Sequence, residues 1–337
     1  MSKSIVVTGA AGFVGAHVAR ALVERGHHVV ATDVAAVLPD DVLGGLDAST
    51  ATYIAGDLRS DATLDALVEA AGPHVTVVHV AALLRFAELG AALGEKAPSM
   101  PDAVEVFEVN AMATWRLCSK FFSAGSLDRF VYVSTRSVFG GLEVDSDTIP
   151  ETSPQRPIGI YGSSKAAAEL GVLALRDVFE FDLVVARITG VYGPWQGPVS
   201  WIGKAIEGVT IGTGYHASAG AGDKYELTYV KDTVRGLVEL VMAEQLEHSI
   251  YHVSSGQMHS LDEVAEAFRT EEPGAVVDFG TAGVAGMRRR LPLGDARIAE
   301  ELGFHPRWDL TAAIADYLRT ERSGSYGVEV FQSVEGD

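Results

Sequence analysis

The strongest constraint on this chain is an alternation, repeated through its first two-thirds, of short apolar runs with stretches of helical spacing. The runs are Ile5–Val7, His28–Ala31, Val75–His79, Arg129–Val133 and Leu183–Ala186. Between them, Gly12–Arg25, Asp61–Ala71, Val104–Ala124 and Tyr161–Phe179 carry apolar residues three and four positions apart, the period of a helix with one buried face. Near-continuous apolar strands need cover on both sides, so the pattern predicts an α/β chain with a parallel sheet between helical layers. Right-handed crossovers make this a Rossmann-type, doubly wound sheet.

After Tyr192-Gly-Pro194 the alternation breaks, and 203–222 is rich in glycine and small residues. Residues 1–190 are therefore expected to form a dinucleotide-binding domain and 191–322 mainly a smaller substrate-binding part. The runs Leu227–Val230 and Ile250–Val253 lead the 225–255 stretch back to the main body before a last helix at Thr311–Arg319, and 323–337 reads as a flexible tail. No internal repeat is apparent.

With 337 residues, 47% of them hydrophobic, the chain can bury a sizeable core. Its formal charge of -19 argues against non-specific binding to nucleic acid or an anionic membrane. Cys118 is the only cysteine, which excludes an intrachain disulfide and a thiol metal cluster, and no metal site is expected. The first residues lack signal-peptide features, and no uncharged apolar run reaches the roughly 18 residues of a membrane span. The expectation is a cytoplasmic protein with a small-molecule substrate.

Gly9-Ala-Ala-Gly12-Phe-Val-Gly15 follows the first strand and opens the first helix, where a pyrophosphate can rest on amides at the positive helix end. Asp33 closes the second run about twenty residues on, where a carboxylate can bind the adenosine ribose hydroxyls and repel a 2′-phosphate. No arginine follows it, so NAD is expected rather than NADP. The alternative for Asp33 is a solvated turn residue. Asp57 and Leu58, and His79-Val80-Ala81-Ala82, end the next two apolar runs of the chain on the ligand-binding edge. Asp57 can meet the adenine amino group, Ala81 and Ala82 leave room for the cofactor, and His79 reads as a strand residue rather than a catalyst.

Tyr161-Gly-Ser-Ser-Lys165 puts a phenol and an ammonium one helical turn apart. A cation beside the phenol favours phenolate and fits Tyr161 for acid/base work. Ser134 and Thr135 end the preceding strand on the same edge and can hold a substrate oxygen.

The ordered set Thr8–Gly15, Asp33, Asp57-Leu58, His79–Ala82, Asn110, Val133–Thr135, Val138–Gly140, Tyr161–Lys165 and Val191–Pro194 strongly resembles the extended short-chain dehydrogenase/reductases, the NAD-dependent epimerase/dehydratase group. The likeness spans roughly residues 4 to 320. It implies an NAD-dependent enzyme working at a secondary alcohol or ketone carbon, with Thr135, Tyr161 and Lys165 at the catalytic positions. It also implies cofactor contacts from Phe13, Val14, Val80, Asn110, Tyr161 and Lys165, and a homodimer built on the helices at 104–124 and 161–179.

Departures narrow the choice within the group. Dehydratases carry an Asp-Glu pair after the catalytic threonine, whereas this chain has Arg136-Ser137, so dehydration is not expected. Two usual diphosphate contacts are also altered: glycine stands at position 190 beside Thr189, and Tyr225 replaces an arginine. Replacements are conceivable at Lys224 or Arg288–Arg290. The expected substrate contacts are Leu83, Arg85, Thr135, Arg136, Thr189 and Tyr225. Arg85 and Arg136 can either meet an anionic substrate group or form surface ion pairs. The stretch Leu83–Val104, longer than this connection needs, is either a lid or a packed excursion. Net oxidation or reduction of a sugar-like substrate leads, and nucleotide-sugar 4-epimerisation is the alternative.

Overall fold

The five apolar runs of the first two-thirds all become strands of one sheet in the computed structural model, which describes residues 2–38, 50–84, 100–141, 146–197, 200–282 and 291–324. β1 (Ser4–Thr8), β2 (His28–Asp33), β3 (Ala51–Ala55), β4 (Val75–His79), β5 (Leu127–Thr135), β6 (Asp182–Ile188) and β10 (Ile250–Val253) pair in the order β10-β6-β5-β4-β1-β2-β3. Every pairing is parallel. This is the doubly wound sheet the alternation predicts.

Successive strand residues face opposite sides. Ile5, Val7, Val131 and Val184 pack against α1 (Phe13–Glu24) and α7 (Val230–Met242) through Val18, Leu22, Leu237 and Leu240. Val6, Val77, Phe130 and Val185 meet the other layer, made by α2 (Asp61–Ala71), α4 (Ala113–Ser123) and α5 (Gly159–Phe179), through Leu64, Leu67, Leu117, Phe121 and Val172. Each such side chain, fully buried, contributes about 1.5–3 kcal/mol.

The helix expected without a break over 104–124 is interrupted. α3 (Met100–Phe107) runs into a π-turn at Glu108–Met112 before α4 begins. The extra residue in that turn accompanies the buried side-chain amide of Asn110, which is bonded outside the helix. Of the stretch 83–104 read as a lid or a packed excursion, only residues 83–84 and 100–104 lie within the described set, and the others lie outside it.

A second group of elements stands beyond the carboxyl ends of the strands. β7 (Gly190–Tyr192), β9 (Lys224–Tyr229) and β11 (Met258–Ser260) form a three-stranded sheet, while β8 (Tyr215–Ala219) pairs with β12 (Val277–Ala282). Of the two late runs expected to return to the main body, residues 250–253 pair with β6 in the large sheet, and residues 227–229 belong instead to the small one. The glycine-rich stretch is ordered as α6 (Trp201–Thr210) and β8, because its glycines are contact points. A Cβ on Gly203 or Gly208 would come within 1.9 or 2.2 Å of a carbonyl oxygen. The remaining helices are α8 (Leu261–Glu271), α9 (Ala296–Leu302) and α10 (Leu310–Ser323), the last longer at both ends than its apolar spacing indicated.

Candidate active site

β1 has β2 on one side and β4 on the other, and the chain leaves these neighbours in opposite directions. Their carboxyl ends therefore border a crevice at the switch point of the sheet. The glycine loop lies on this rim. Gly9 takes a φ of 71° and sits so close to Ala81 that a Cβ would approach its backbone to 2.8 Å, while a Cβ on Gly15 would meet the Gly9 carbonyl oxygen at 2.0 Å. Gly12 is the N-cap of α1, and no side chain caps that helix. Phe13 and Val14 are half-buried against the core. Asp33 faces the loop from β2, accepting the Ala11 amide at 3.1 Å through one oxygen and the Ala35 amide at 3.2 Å through the other.

The next strand ends give less open contacts than expected. Asp57 is gripped by Arg59 through both carboxylate oxygens at 2.7–3.1 Å, which holds its carboxyl below the usual range. Leu58 is half-buried against the core face behind it. His79 is buried, with one ring nitrogen 2.7 Å from the Thr8 hydroxyl and the other 2.7 Å from that of Thr114. It ties β4 to β1 and α4, and burial lowers its pKa to about 3. The Thr8 hydroxyl also accepts the Ala81 amide at 3.2 Å, so the Val80–Ala82 backbone is fixed against the glycine loop.

Asn110 is fully buried and clamps this same connection. Its Oδ1 accepts the Leu83 amide at 2.7 Å, and its Nδ2 donates to the Leu83 carbonyl at 3.1 Å and to Ser164 Oγ at 3.0 Å. Both amide hydrogens are thereby engaged, so Asn110 holds the Leu83 peptide in place beyond the end of β4.

Thr135 ends β5 and caps a short 3-10 turn at Arg136–Phe139, its Oγ1 accepting the Ser137 amide at 3.2 Å. α5 is brought against that turn through Gly162, where a Cβ would lie 2.7 Å from the Ser137 carbonyl oxygen. This approach sets Tyr161 beside Thr135. The expected lowering of the phenol by its lysine is absent. Burial pushes Tyr161 up to about 12, opposed only by the hydrogen bond to Thr135. Lys165 is itself buried, donates to the Val133 carbonyl at 2.8 Å and lies 4.3 Å above the Tyr132 ring, and desolvation lowers it to about 7.

Beneath these groups lies an ion pair that sequence reading missed. Glu169, fully buried one turn beyond Lys165, binds the buried Arg187 and accepts Ser134 Oγ at 2.8 Å. Arg187 also donates to the Glu151 carbonyl at 3.0 Å and stacks 4.9 Å from the Phe139 ring. The available signal was positional: Tyr161, Lys165 and Glu169 recur every four residues on one helix face.

The expected substrate contacts separate. Arg136 is turned into the protein, donating to the Leu291 carbonyl at 3.0 Å and lying 3.5 Å from the buried carboxylate of Glu226. Its charge is thus met internally, contrary to an ion pair at the surface. Thr189 is buried, 2.6 Å from the Thr228 hydroxyl. Tyr225 is buried against Trp201, with ring centroids 5.9 Å apart. Gly190 abuts β9 so closely that a Cβ would lie 2.8 Å from the Glu226 carbonyl oxygen. Leu83 is half-buried at the rim, and Arg85 and Arg288–Arg290 lie outside the described residues.

The family model for the NAD dependent epimerase/dehydratase family matches residues 5–254. The chain belongs to that family. Among relatives of the epimerase/dehydratase family, a dTDP-glucose 4,6-dehydratase of Actinoplanes sp. is 28% identical over 334 residues, covering 95% of this chain and 98% of that protein. A dTDP-glucose 4,6-dehydratase of Streptomyces griseus is 30% identical over 331 residues, covering 94% and 93%. Among solved structures, MoeE5 in complex with UDP-glucuronic acid and NAD superposes with a TM-score of 0.78 at 28% identity, covering 96% of this chain and 100% of that one. DesIV, a dTDP-glucose 4,6-dehydratase from Streptomyces venezuelae with NAD bound, gives 0.79 at 26% identity, covering 95% and 97%. The epimerase/dehydratase family is NAD-dependent, and the uncapped α1, close-packed glycine loop and Asp33 carboxylate fit a dinucleotide.

Proposed function

We propose that this chain is an NAD-dependent oxidoreductase that moves a hydride to or from a secondary alcohol carbon of a sugar-like, polyhydroxylated substrate. The observation that carries this reading is the convergence of Thr135, Tyr161 and Lys165 on the sheet edge that also bears the glycine loop and Asp33. When bound, NAD supplies the hydride acceptor at its nicotinamide ring.

In this reading the 9–15 loop receives the pyrophosphate and Asp33 the adenosine ribose, with Leu58, Val80, Ala81 and Ala82 along the groove and Asp57 toward the adenine. Asn110 supports the groove by holding Leu83. Thr135 holds the reacting oxygen, and the Tyr161 hydroxyl takes or gives its proton. Burial keeps that phenol protonated in the free protein, and positive charge brought beside it favours the phenolate. Fixed geometry carries most of the rate. Residues 1–190, with 225–255, hold the cofactor, and 191–322 mainly receive the substrate.

A second reading is a nucleotide-sugar 4-epimerase that keeps NAD and returns the hydride to the opposite face, and the likeness to MoeE5 solved with UDP-glucuronic acid and NAD supports its nucleotide-sugar part. The closed approach at Gly190 and the packing of Tyr225 on Trp201 favour the first. Arg136 and Ser137 stand where the dehydratase pair is expected, which argues against loss of water.

The enzyme is inferred to be a homodimer, because α3, the π-turn after it and α5 expose Val104, Phe107, Met112, Leu170, Val178 and Phe179 on neighbouring elements. The cytoplasm is its inferred location, in keeping with one buried, unpaired thiol. The test is a panel of free sugars, sugar acids, polyols and UDP- or dTDP-sugars incubated with NAD, reading NADH absorbance and product configuration together. Accumulating NADH supports the first reading, and an epimer without NADH supports the second. Neither product across the panel, or full activity in Tyr161→Phe, overturns both.

A further inference from the structure

We propose that Glu169 is a positioning residue for the reaction: it fixes Thr135 on β5 in register with Tyr161 and Lys165 on α5, and it sets a buried carboxylate one helical turn from the Lys165 amine. The inference rests on the oxidoreductase reading only for what the positioned groups are used for.

The argument begins with the contacts. Tyr161, Lys165 and Glu169 follow one another at four-residue steps, so all three point toward the sheet from the same face of α5. Glu169 has no exposed surface, and its carboxylate is bonded on two sides by other elements. Arg187 on β6 meets both oxygens, and Ser134 Oγ on β5 donates to one of them at 2.8 Å. Ser134 directly precedes Thr135, so this single carboxylate joins the strand that ends in the threonine to the helix that carries the phenol and the amine. Three elements with two charges and a hydroxyl between them admit little sliding, since each displaced group would be left buried without its partner.

The second part concerns charge. Among the described residues, Lys165 donates to the Val133 carbonyl and faces the ring of Tyr132. Burial disfavours its ammonium form, and the carboxylate of Glu169 opposes that effect. The other titratable groups around it give no comparable support. From β4, His79 is neutral because of its own burial, and from β5 and α5 the phenols of Tyr132 and Tyr161 are held protonated. From β6, Arg187 is positive and directly engaged by Glu169. Among the described residues, Glu169 is therefore the anion that opposes the loss of charge which burial imposes on this amine.

The test uses the full-length protein labelled with lysine carrying nitrogen-15 at the side-chain amine. The Lys165 signal is assigned by its loss in Lys165→Met and followed as a function of pH. Glu169→Gln is expected to lower the Lys165 midpoint by about one pH unit or more. Because that variant leaves Arg187 buried without its anion, Glu169→Gln with Arg187→Met is titrated in parallel, and the same shift is expected. Ser134→Ala, which removes only the link to β5, is expected to lower turnover about tenfold while leaving NAD affinity unchanged. An unchanged Lys165 midpoint in folded Glu169→Gln and in the double variant would overturn the electrostatic role. Unchanged turnover in Ser134→Ala would overturn the register role. The lysine titration needs no substrate, so it stands if no member of the substrate panel reacts, which would instead count against the oxidoreductase reading.

Discussion

Asp33 and Ala11 are joined across the mouth of the glycine loop, the carboxylate at the end of β2 accepting the amide of the loop at 3.1 Å. The carboxylate is thus held in place by the loop whose ligand it is proposed to share. Asp33→Ala is expected to weaken NAD binding about tenfold or more, the worth of hydrogen bonds to a charged group, and to narrow the preference against NADP. Calorimetric titration with both nucleotides checks this, and equal loss for the two would remove Asp33 from the ribose site.

Gly15 tests the close packing of α1 on the loop. An added methyl would lie 2.0 Å from the Gly9 carbonyl oxygen, so Gly15→Ala must displace the helix or the turn. The expected cost is about 1–3 kcal/mol of stability together with loss of NAD affinity, read from denaturant unfolding and nucleotide titration.

Lys165 makes stability depend on pH in a direction opposite to most surface lysines. Its folded pKa of about 7 lies below the ordinary 10.5, so across that window the unfolded chain binds more protons and stability rises with pH. Lys165→Met should remove that part of the rise and lose hydride transfer. Unfolding midpoints measured in urea at a series of pH values give the slope, and an identical slope in the variant would contradict the buried amine.

Acid acts on the same fold through histidine. Burial lowers His79 to about 3 from an ordinary 6.5, so below the upper value the unfolded chain takes up a proton that the folded chain refuses. Stability contributed by neutral His79 is lost as pH falls. His79→Asn should be destabilised by about 1–3 kcal/mol near neutral pH through its broken links to Thr8 and Thr114, with the deficit shrinking toward acid. A constant deficit across the series of unfolding curves would refute this account.

Leu170 and Val178 lie exposed on α5. Changing both to glutamate is expected to convert a dimer to a monomer on light scattering after gel filtration, with the monomer's helix content retained. A monomeric parent protein would dispose of the inferred dimer directly.

What could be read from residues alone divides along a physical line. The glycine loop, Asp33 and the Tyr161–Lys165 spacing are local patterns, and strand alternation follows from burial on two faces, so each is visible in a short window. The break at Glu108–Met112 is not, because it answers to Leu83 and Ser164 on other elements. Nor is the pairing of Arg136 with Glu226, which depends on β9 lying in the small sheet rather than the large one. The expectation that Lys165 lowers Tyr161 misled for a related reason: spacing shows that two groups share a face, while burial decides what each is worth.

The π-turn carries a further implication for how this helix can change. One surplus residue rotates everything before it by about 100° relative to a regular helix. Deleting Ala111 should therefore let the backbone relax to the ordinary pitch while swinging Asn110 off the Leu83 peptide. The result would be a better-formed helix and a poorer enzyme, a trade in which local regularity is gained by undoing the irregularity that grips the Leu83 peptide.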